Sequence, residues 1–396
     1  MTPSKHQFVG KKVKLGELCE IYSGGTPKRS VSEYWTGGNV PWVKIGDITE
    51  KYVSSTEECI TQAGLNNSSA KLFKPGTLLY SIFASIGAVG ILNILAATNQ
   101  AIAGLVIRDN SLDHDFLYHY LKSREVASKT SGRGVAQSNI NLTILRNMQV
   151  PVPPLVVQKE IVQNLEIVSR QLKMAKLQLS KLDSLVKSRF VEMFGDFACY
   201  ETKPLIKCVD CIEAGKSPKC LAFSRKMAEP GVLKLSAISS GVYCENENKA
   251  LPRSVSLTID KVVHANDILL SRKNTPELVG RSVLVKHTDG NIMFPDIIFR
   301  MHPLSPINAM YLSYLLAGPL LHSIQSLAHG SAKSMSNIPK SELAKLSIPI
   351  PALNLQNEFA NFASQVDKSR VGGMLHLLNS LSGIMHASFF SVADTD

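Results

Sequence analysis

The sequence lacks the short patterns that mark common catalytic and nucleotide-binding sites. It has no Gly-x-Ser-x-Gly for a hydrolase nucleophile, no Walker-type glycine-lysine loop and no Gly-x-Gly-x-x-Gly dinucleotide fingerprint. Lys333-Ser334 lacks the preceding glycine pattern that makes a phosphate cradle. Pro153-Pro154 stands between Val152 and Leu155, not between an Asn or Asp and an aromatic ring as in adenine methyltransferases. Pro295-Asp296 and Glu247-Asn248-Lys249 are in the wrong order for a simple nuclease core, and the 10 histidines form no close ligand pair. No catalytic site is expected on this chain. The opening residues, Met1 to Gly10, hold no apolar run that would serve as a secretory signal, so a cytoplasmic location is expected. Seven cysteines, an odd number, then argue for reduced thiols over a disulfide framework.

Acidic side chains are in deficit. Lys plus Arg number 43 against 32 Asp plus Glu, a net charge of +11, which favours a polyanionic partner through phosphate neutralisation and counterion release. The excess lies in two blocks, residues 1–150 and 198–350, each followed by a nearly balanced stretch. With 44% hydrophobic and 19% charged residues, the chain has a globular composition long enough for two cores.

Charge is missing altogether between Lys74 and Arg108. Thr77 to Ala97 is long and apolar enough to resemble a membrane span, but Ser81, Ser85, Gly87, Gly90 and Asn93 interrupt it at strand-like intervals. Buried strands are expected instead, because the corresponding stretch of the second half carries Arg272, Lys273, Glu277 and Arg281. No membrane association is expected.

That correspondence belongs to an internal repeat. Pro153, Leu155, Gln158 and Glu160 recur as Pro351, Leu353, Gln356 and Glu358, and Ser138-Asn139-Ile140 as Ser336-Asn337-Ile338, all shifted by 198 residues. With small gaps, Leu15, Leu18, Ile21, Gly24 and Pro27 match Ile206, Val209, Ile212, Gly215 and Pro218. Each half reads as a mixed domain of short apolar strands: Val40 to Ile45, Leu78 to Phe83 and Ala103 to Ile107 in the first, then Val232 to Leu235, Asp267 to Ser271 and Ile297 to Met301 in the second. Helices are predicted near Phe116 to Ser123 and Ala309 to Leu316. A proline-bounded strand, Met148 to Pro154 or Leu346 to Pro351, closes each domain because proline cannot continue a ladder or a helix interior.

A long helix follows each domain. In the first, Ile161, Leu165, Val168, Leu172, Ala175, Leu179, Leu182 and Val186 recur at spacings of four and three, the heptad seam of a coiled coil. From Gln158 to Phe194 such a helix spans about 55 Å at 1.5 Å per residue. In the second, Phe359, Ala363 and Val366 begin a seam that Met374, Leu378, Leu381 and Met385 resume out of step, so a kink is expected at Gly372-Gly373. The expected fold is α+β: two similar mixed α/β domains at 1–154 and 198–351, with helices at 155–197 and 352–396 running antiparallel between them in pseudo-twofold arrangement.

The segments Ser23-Gly24-Gly25-Thr26-Pro27, Pro41 to Asp47, Ser138-Asn139-Ile140 and Pro151 to Glu160, followed by Leu182 to Ser188 with Phe190, Phe194, Gly195 and Asp196, carry a resemblance. Over nearly its whole length the chain resembles the specificity (S) subunits of type I restriction–modification enzymes. The resemblance implies that each domain reads one half of a split, non-palindromic target on double-stranded DNA while the helices act as a fixed spacer. It also implies two methyltransferase (modification) subunits and two restriction/translocase subunits as partners. S-adenosylmethionine, ATP and Mg would then be held by those partners and no cofactor by this chain. The second copy lacks the Phe190 to Asp196 ending, which leaves its partner contacts less defined. A stand-alone double-headed DNA-binding or scaffold protein is the alternative reading.

DNA reading needs side chains that pair with base edges and cations that meet phosphates. The first domain offers Lys28, Arg29, Lys44, Arg133 and Gln137, with Arg133 between glycines that let backbone approach phosphate. The second offers Lys216, Lys219, Arg225, Lys226, Arg272, Lys273 and Lys333. Tyr34, Trp35 and Trp42 are expected in packing rather than over an extruded base. Cys199, Cys208, Cys211 and Cys220 have a zinc-like spacing, but the repeat puts Glu17 and Glu20 where Cys208 and Cys211 fall, so no metal site is expected.

Overall fold

The computed structural model describes residues 11–83, 87–130, 140–330 and 335–369. They form two compact units, the first reaching Lys176 and the second beginning at Leu177.

In the first unit a five-stranded sheet runs in the order Cys19–Ser23, Ile102–Ile107, Leu78–Ser81, Val89–Leu92, Tyr52–Val53. All its pairs are antiparallel except the last. A second sheet runs Glu58–Ile60, Val40–Val43, Ala96–Thr98, Leu72–Phe73, and its central pair is parallel. The apolar run from Thr77 to Ala97 is thus divided among the strands Leu78–Ser81, Val89–Leu92 and Ala96–Thr98, every residue of which is buried. Strands buried on both faces read as continuous apolar runs, which explains the hydropathy there. Among the described residues no helix is long and apolar enough to cross a membrane.

The second unit repeats the plan. Glu213–Ala214, Ile298–Met301, Ile268–Ser271 and Ser282–Leu284 form an antiparallel sheet in that order. Asn248–Ala250, Gly231–Leu233 and Ile292–Met293 form the other, again with one parallel pair. Registers correspond as well: Ile102 faces Ser81 in the first copy and Ile298 faces Ser271 in the second. Each unit is tied off by a two-stranded ladder between its beginning and its proline-bounded strand, Lys11–Lys14 with Gln149–Val152 and Thr202–Pro204 with Ser347–Pro349. The helices predicted within the two domains are His114–Thr130 and Ala309–Ala317.

The helix Leu155–Phe194 is continuous over 40 residues, about 60 Å at 1.5 Å per residue. Along its heptad seam Ile161, Leu165, Ala175 and Val186 are buried and Val168, Leu172, Leu179 and Leu182 are half-buried. Off the seam, Ile167, Met174, Leu177 and Leu185 are exposed. Ile161 and Leu165 join the core of the first unit, while Val186, Phe190 and Phe194 join that of the second. There Phe190 and Phe194 lie 5.0 and 5.8 Å from the ring of Phe359, which the helix Leu353–Ser369 supplies. Edge-to-face pairs of this kind contribute about 0.5–1.5 kcal/mol each beyond the buried area. Ala363 is buried beside them and Val366 packs at the margin. Met374, Leu378, Leu381, Met385 and the glycine pair expected to kink the second helix lie outside the described residues.

Candidate nucleic-acid interface

The Gly-x-x-Pro segments occupy the same place in both units because a backbone must pass close to another strand. A Cβ on Gly24 would come within 2.2 Å of the Asn99 carbonyl oxygen, and one on Gly215 within 1.9 Å of that of Phe294. Only glycine fits such an approach. The next amide then bonds across: Gly25 N–H donates to Thr98 O at 2.9 Å, and Lys216 N–H to Phe294 O at 3.0 Å. One residue further, a hydroxyl reaches the side chain two positions beyond that carbonyl. Thr26 Oγ1 donates to Gln100 Oε1, and Ser217 Oγ donates to Asp296 Oδ1 while accepting from Asp296 N–H at 3.2 Å.

Around the first of these loops, Lys28 is exposed. Arg29 pairs with Glu58 at 2.6 Å and lies 3.7 Å over the ring of Trp35. Lys44 bridges Glu57 at 2.6 Å and Glu58 at 2.8 Å. Hydrogen bonds from Arg29 and then Lys44 hold the Glu58 carboxyl below its ordinary range, and bonds to Glu57 and Glu58 push the Lys44 ammonium above its own. Two cations and two carboxylates therefore balance one another, whereas Lys28 presents its charge to solvent next to Pro27 of the glycine loop. Trp42 is buried, with Nε1 donating to Gly25 O at 3.0 Å and its ring 5.1 Å from that of Trp35. Both tryptophans brace the loop, the packing role expected of them; Tyr34 is half-buried. Arg133 and Gln137 lie outside the described residues.

In the second unit Lys216, Lys219 and Lys226 are exposed. Arg225 is not. Its side chain is 5% exposed and its guanidinium pairs with Glu245 at 2.6 Å and Asp289 at 2.7 Å, so it fastens loops inside the unit. Arg272 is half-buried, donates from Nη1 to Asp296 O at 3.4 Å and lies 5.3 Å from the Phe299 ring centroid. Lys273 sits half-buried in a short ladder opposite Asn337. Lys333 lies outside the described residues. Of the cysteines with zinc-like spacing, Cys208 is in the core and Cys199 is exposed.

Sequence reasoning missed Thr26, Gln100, Ser217 and Asp296. The signal was available: once Gly24 and Pro27 are set against Gly215 and Pro218, Thr26 falls on Ser217. It also missed Lys51, a 19% exposed ammonium that binds Asp115 at 3.0 Å and also Glu166 of the long helix. Nothing local in the sequence pairs residues so far apart.

Residues 10–182 match the model of the type I restriction modification DNA specificity domain. The specificity subunit of the type I restriction enzyme MjaIX from Methanocaldococcus jannaschii is 26% identical over 198 residues, 49% of this chain and 45% of that protein. The specificity subunit of EcoR124I/EcoR124II from Escherichia coli is 30% identical over 160 residues, 38% of this chain and 39% of that protein. These matches span less than half the length of either relative. In fold, the S subunit of a type I restriction–modification system from M. genitalium aligns with a TM-score of 0.50 at 14% identity, covering 99% of both chains. Residues 10–182 are thus similar to a type I restriction modification DNA specificity domain, the chain is similar over part of its length to type I specificity subunits, and it shares the fold of an S subunit.

Proposed function

We propose that the chain is the DNA-sequence-recognition subunit of a type I restriction–modification complex, each unit reading one half of a bipartite, non-palindromic target. The observation that carries this reading is one plan of strands and loops built twice with unlike loop side chains: the glycine anchors agree while Gln100 answers to Asp296. Equivalent frames bearing different exposed groups suit unlike half-sites. The exposed Lys28, Lys216, Lys219 and Lys226 are suited to phosphate contact. The 40-residue helix is suited to the spacer role, since half-sites read from one face of B-DNA lie about 34–36 Å apart or a multiple of that. In this reading the chain itself does no chemistry. Two methyltransferase subunits and two restriction/translocase subunits supply it, with S-adenosylmethionine, ATP and Mg.

The test is to replace residues 1–150 by those of another specificity subunit and to map methylated adenines in cells expressing the complex. One half of the target changes and the other stays. A change in both halves, or methyl transfer to DNA by the isolated chain with S-adenosylmethionine, overturns the proposal.

A further inference from the structure

We infer that Gln100 and Asp296 are equivalent base-reading positions, one in each unit, and that Gln100 selects adenine where Asp296 selects cytosine. The inference rests on the DNA-reading role proposed above and assigns to it the residues that make the half-targets differ.

Backbone geometry establishes the equivalence without any alignment of side chains. Gly25 N–H meets Thr98 O, and Lys216 N–H meets Phe294 O, so Gln100 and Asp296 each stand two residues beyond the matched carbonyl. Farther along, Ile82 N–H donates to Ala101 O at 2.8 Å and Arg272 N–H to Ile297 O at 3.0 Å, which brackets both positions from the other side.

Each side chain is held before any ligand arrives. Thr26 clasps Gln100 and Ser217 clasps Asp296, from loops whose own course is fixed by the close approach at Gly24 and Gly215. A group already immobilised loses less rotamer entropy on binding. Gln100 is exposed, and Asp296 lines a concavity of about 440 Å³ together with Lys216 and Ser217. Lysines on the same loops, Lys28 in the first unit and Lys216 and Lys219 in the second, are placed for phosphates beside a base edge.

The chemistry of the two side chains then divides. A carboxamide has a donor and an acceptor in one plane and matches adenine, which presents N7 and N6–H. An ionised carboxylate only accepts, so it suits the cytosine N4–H group and is repelled by the acceptor edge of guanine. A carboxylate on a surface meant for a polyanion is otherwise unfavourable; the neighbouring lysines offset it.

The experiment uses the full chain, tagged and isolated from its native cells with its associated proteins, and a pool of random-sequence duplexes whose bound fraction is sequenced. The native complex enriches a split sequence. Gln100→Asp changes an adenine of one half to cytosine, Asp296→Gln changes a cytosine of the other half to adenine, and each shifts base preference by roughly 5- to 100-fold. Should Asp296→Gln lower the melting temperature, Asp296→Asn retains the Ser217 contact and makes the same cytosine-to-adenine shift. Variants that enrich the native sequence unaltered overturn this assignment and leave DNA reading intact, as does one substitution altering both halves. A native complex that enriches no sequence overturns both proposals.

Discussion

Gln158 and Gln356 make the same buried clasp in the two units. Gln158 Oε1 accepts from Asp113 N–H at 2.7 Å while its amide donates to Ser111 O and Pro153 O, both at 2.7 Å. Gln356 Oε1 accepts from Asn308 N–H at 2.9 Å while its amide donates to Pro351 O at 2.8 Å and Pro306 O at 3.4 Å. Asp113 and Asn308 are themselves helix caps, accepting from Phe116 N–H at 2.9 Å and Met310 N–H at 2.9 Å. One amide thus fastens the helix after each domain to the helix before it.

Both glutamines are 0% exposed, so their removal leaves buried backbone groups without partners. Each such group costs about 1–3 kcal/mol. Gln158→Met and Gln356→Met, which keep the volume, are expected to destabilise by about 2–4 kcal/mol, read as a lower urea midpoint of the full chain. A midpoint equivalent to within about 0.5 kcal/mol of native would show the clasp to be dispensable.

Gly24→Ala and Gly215→Ala are expected to cost about 3 kcal/mol, because the new methyl group meets a backbone carbonyl that has no free end to swing away. Gly46→Ala is the control: nothing stands within 4 Å of a Cβ there, and no change in melting temperature is expected.

The frame was legible in sequence and much of the interface was not, for physical reasons. Strands such as Leu78–Ser81 and the helix seam through Leu165 announce themselves because burial imposes a period. Val186 and Phe359 lie on the two seams read from the sequence, and both are buried in the core of the second unit. Cations carry no such mark. Arg225 and Lys226 are neighbours of like charge in sequence, yet one is enclosed by two carboxylates and the other is exposed, a difference set by Glu245 and Asp289 far along the chain. Thr26 with Gln100 escaped notice because neutral polar residues in loops look alike until a fold brings them together.

Arg225 and Lys226 therefore differ in what their removal does to stability. Arg225→Ala strands two partly buried carboxylates and is expected to destabilise the second unit by about 3–5 kcal/mol. Lys226→Ala should leave the unfolding curve unchanged within about 0.5 kcal/mol. Equal reductions in stability from the two substitutions would contradict this division.

The first unit has an acid-sensitive fastening at Asp115. The neighbouring His114 and then the Lys51 ammonium hold its carboxyl at about 2, against the opposing effect of burial. A carboxylate whose folded value is depressed stabilises above its unfolded value near 3.9 and loses that contribution as pH falls toward the folded one. The window is therefore about pH 4 down to 2. Lys51→Met should raise the midpoint of acid unfolding followed by circular dichroism and lower stability at pH 7 by about 1–2 kcal/mol, between the limits for exposed and buried pairs. An unchanged acid midpoint would show that Lys51 does not hold Asp115.

Exposed lysines that meet phosphate are measured by salt. Removing one lysine–phosphate pair reduces the slope of log affinity against log salt by about 0.9 on duplex DNA. The double substitution Lys216→Ala with Lys219→Ala is expected to lower the slope by about 2, weakening binding to all duplexes alike without altering which sequence is preferred. Lys28→Ala should lower it by about 1. Because Lys44 is already neutralised by Glu57 and Glu58, Lys44→Ala should change the slope by less than either. A slope change for Lys44→Ala as large as that for Lys28→Ala would mean that the Glu57–Glu58 pairing opens on binding, and would move Lys44 to the phosphate-contacting face.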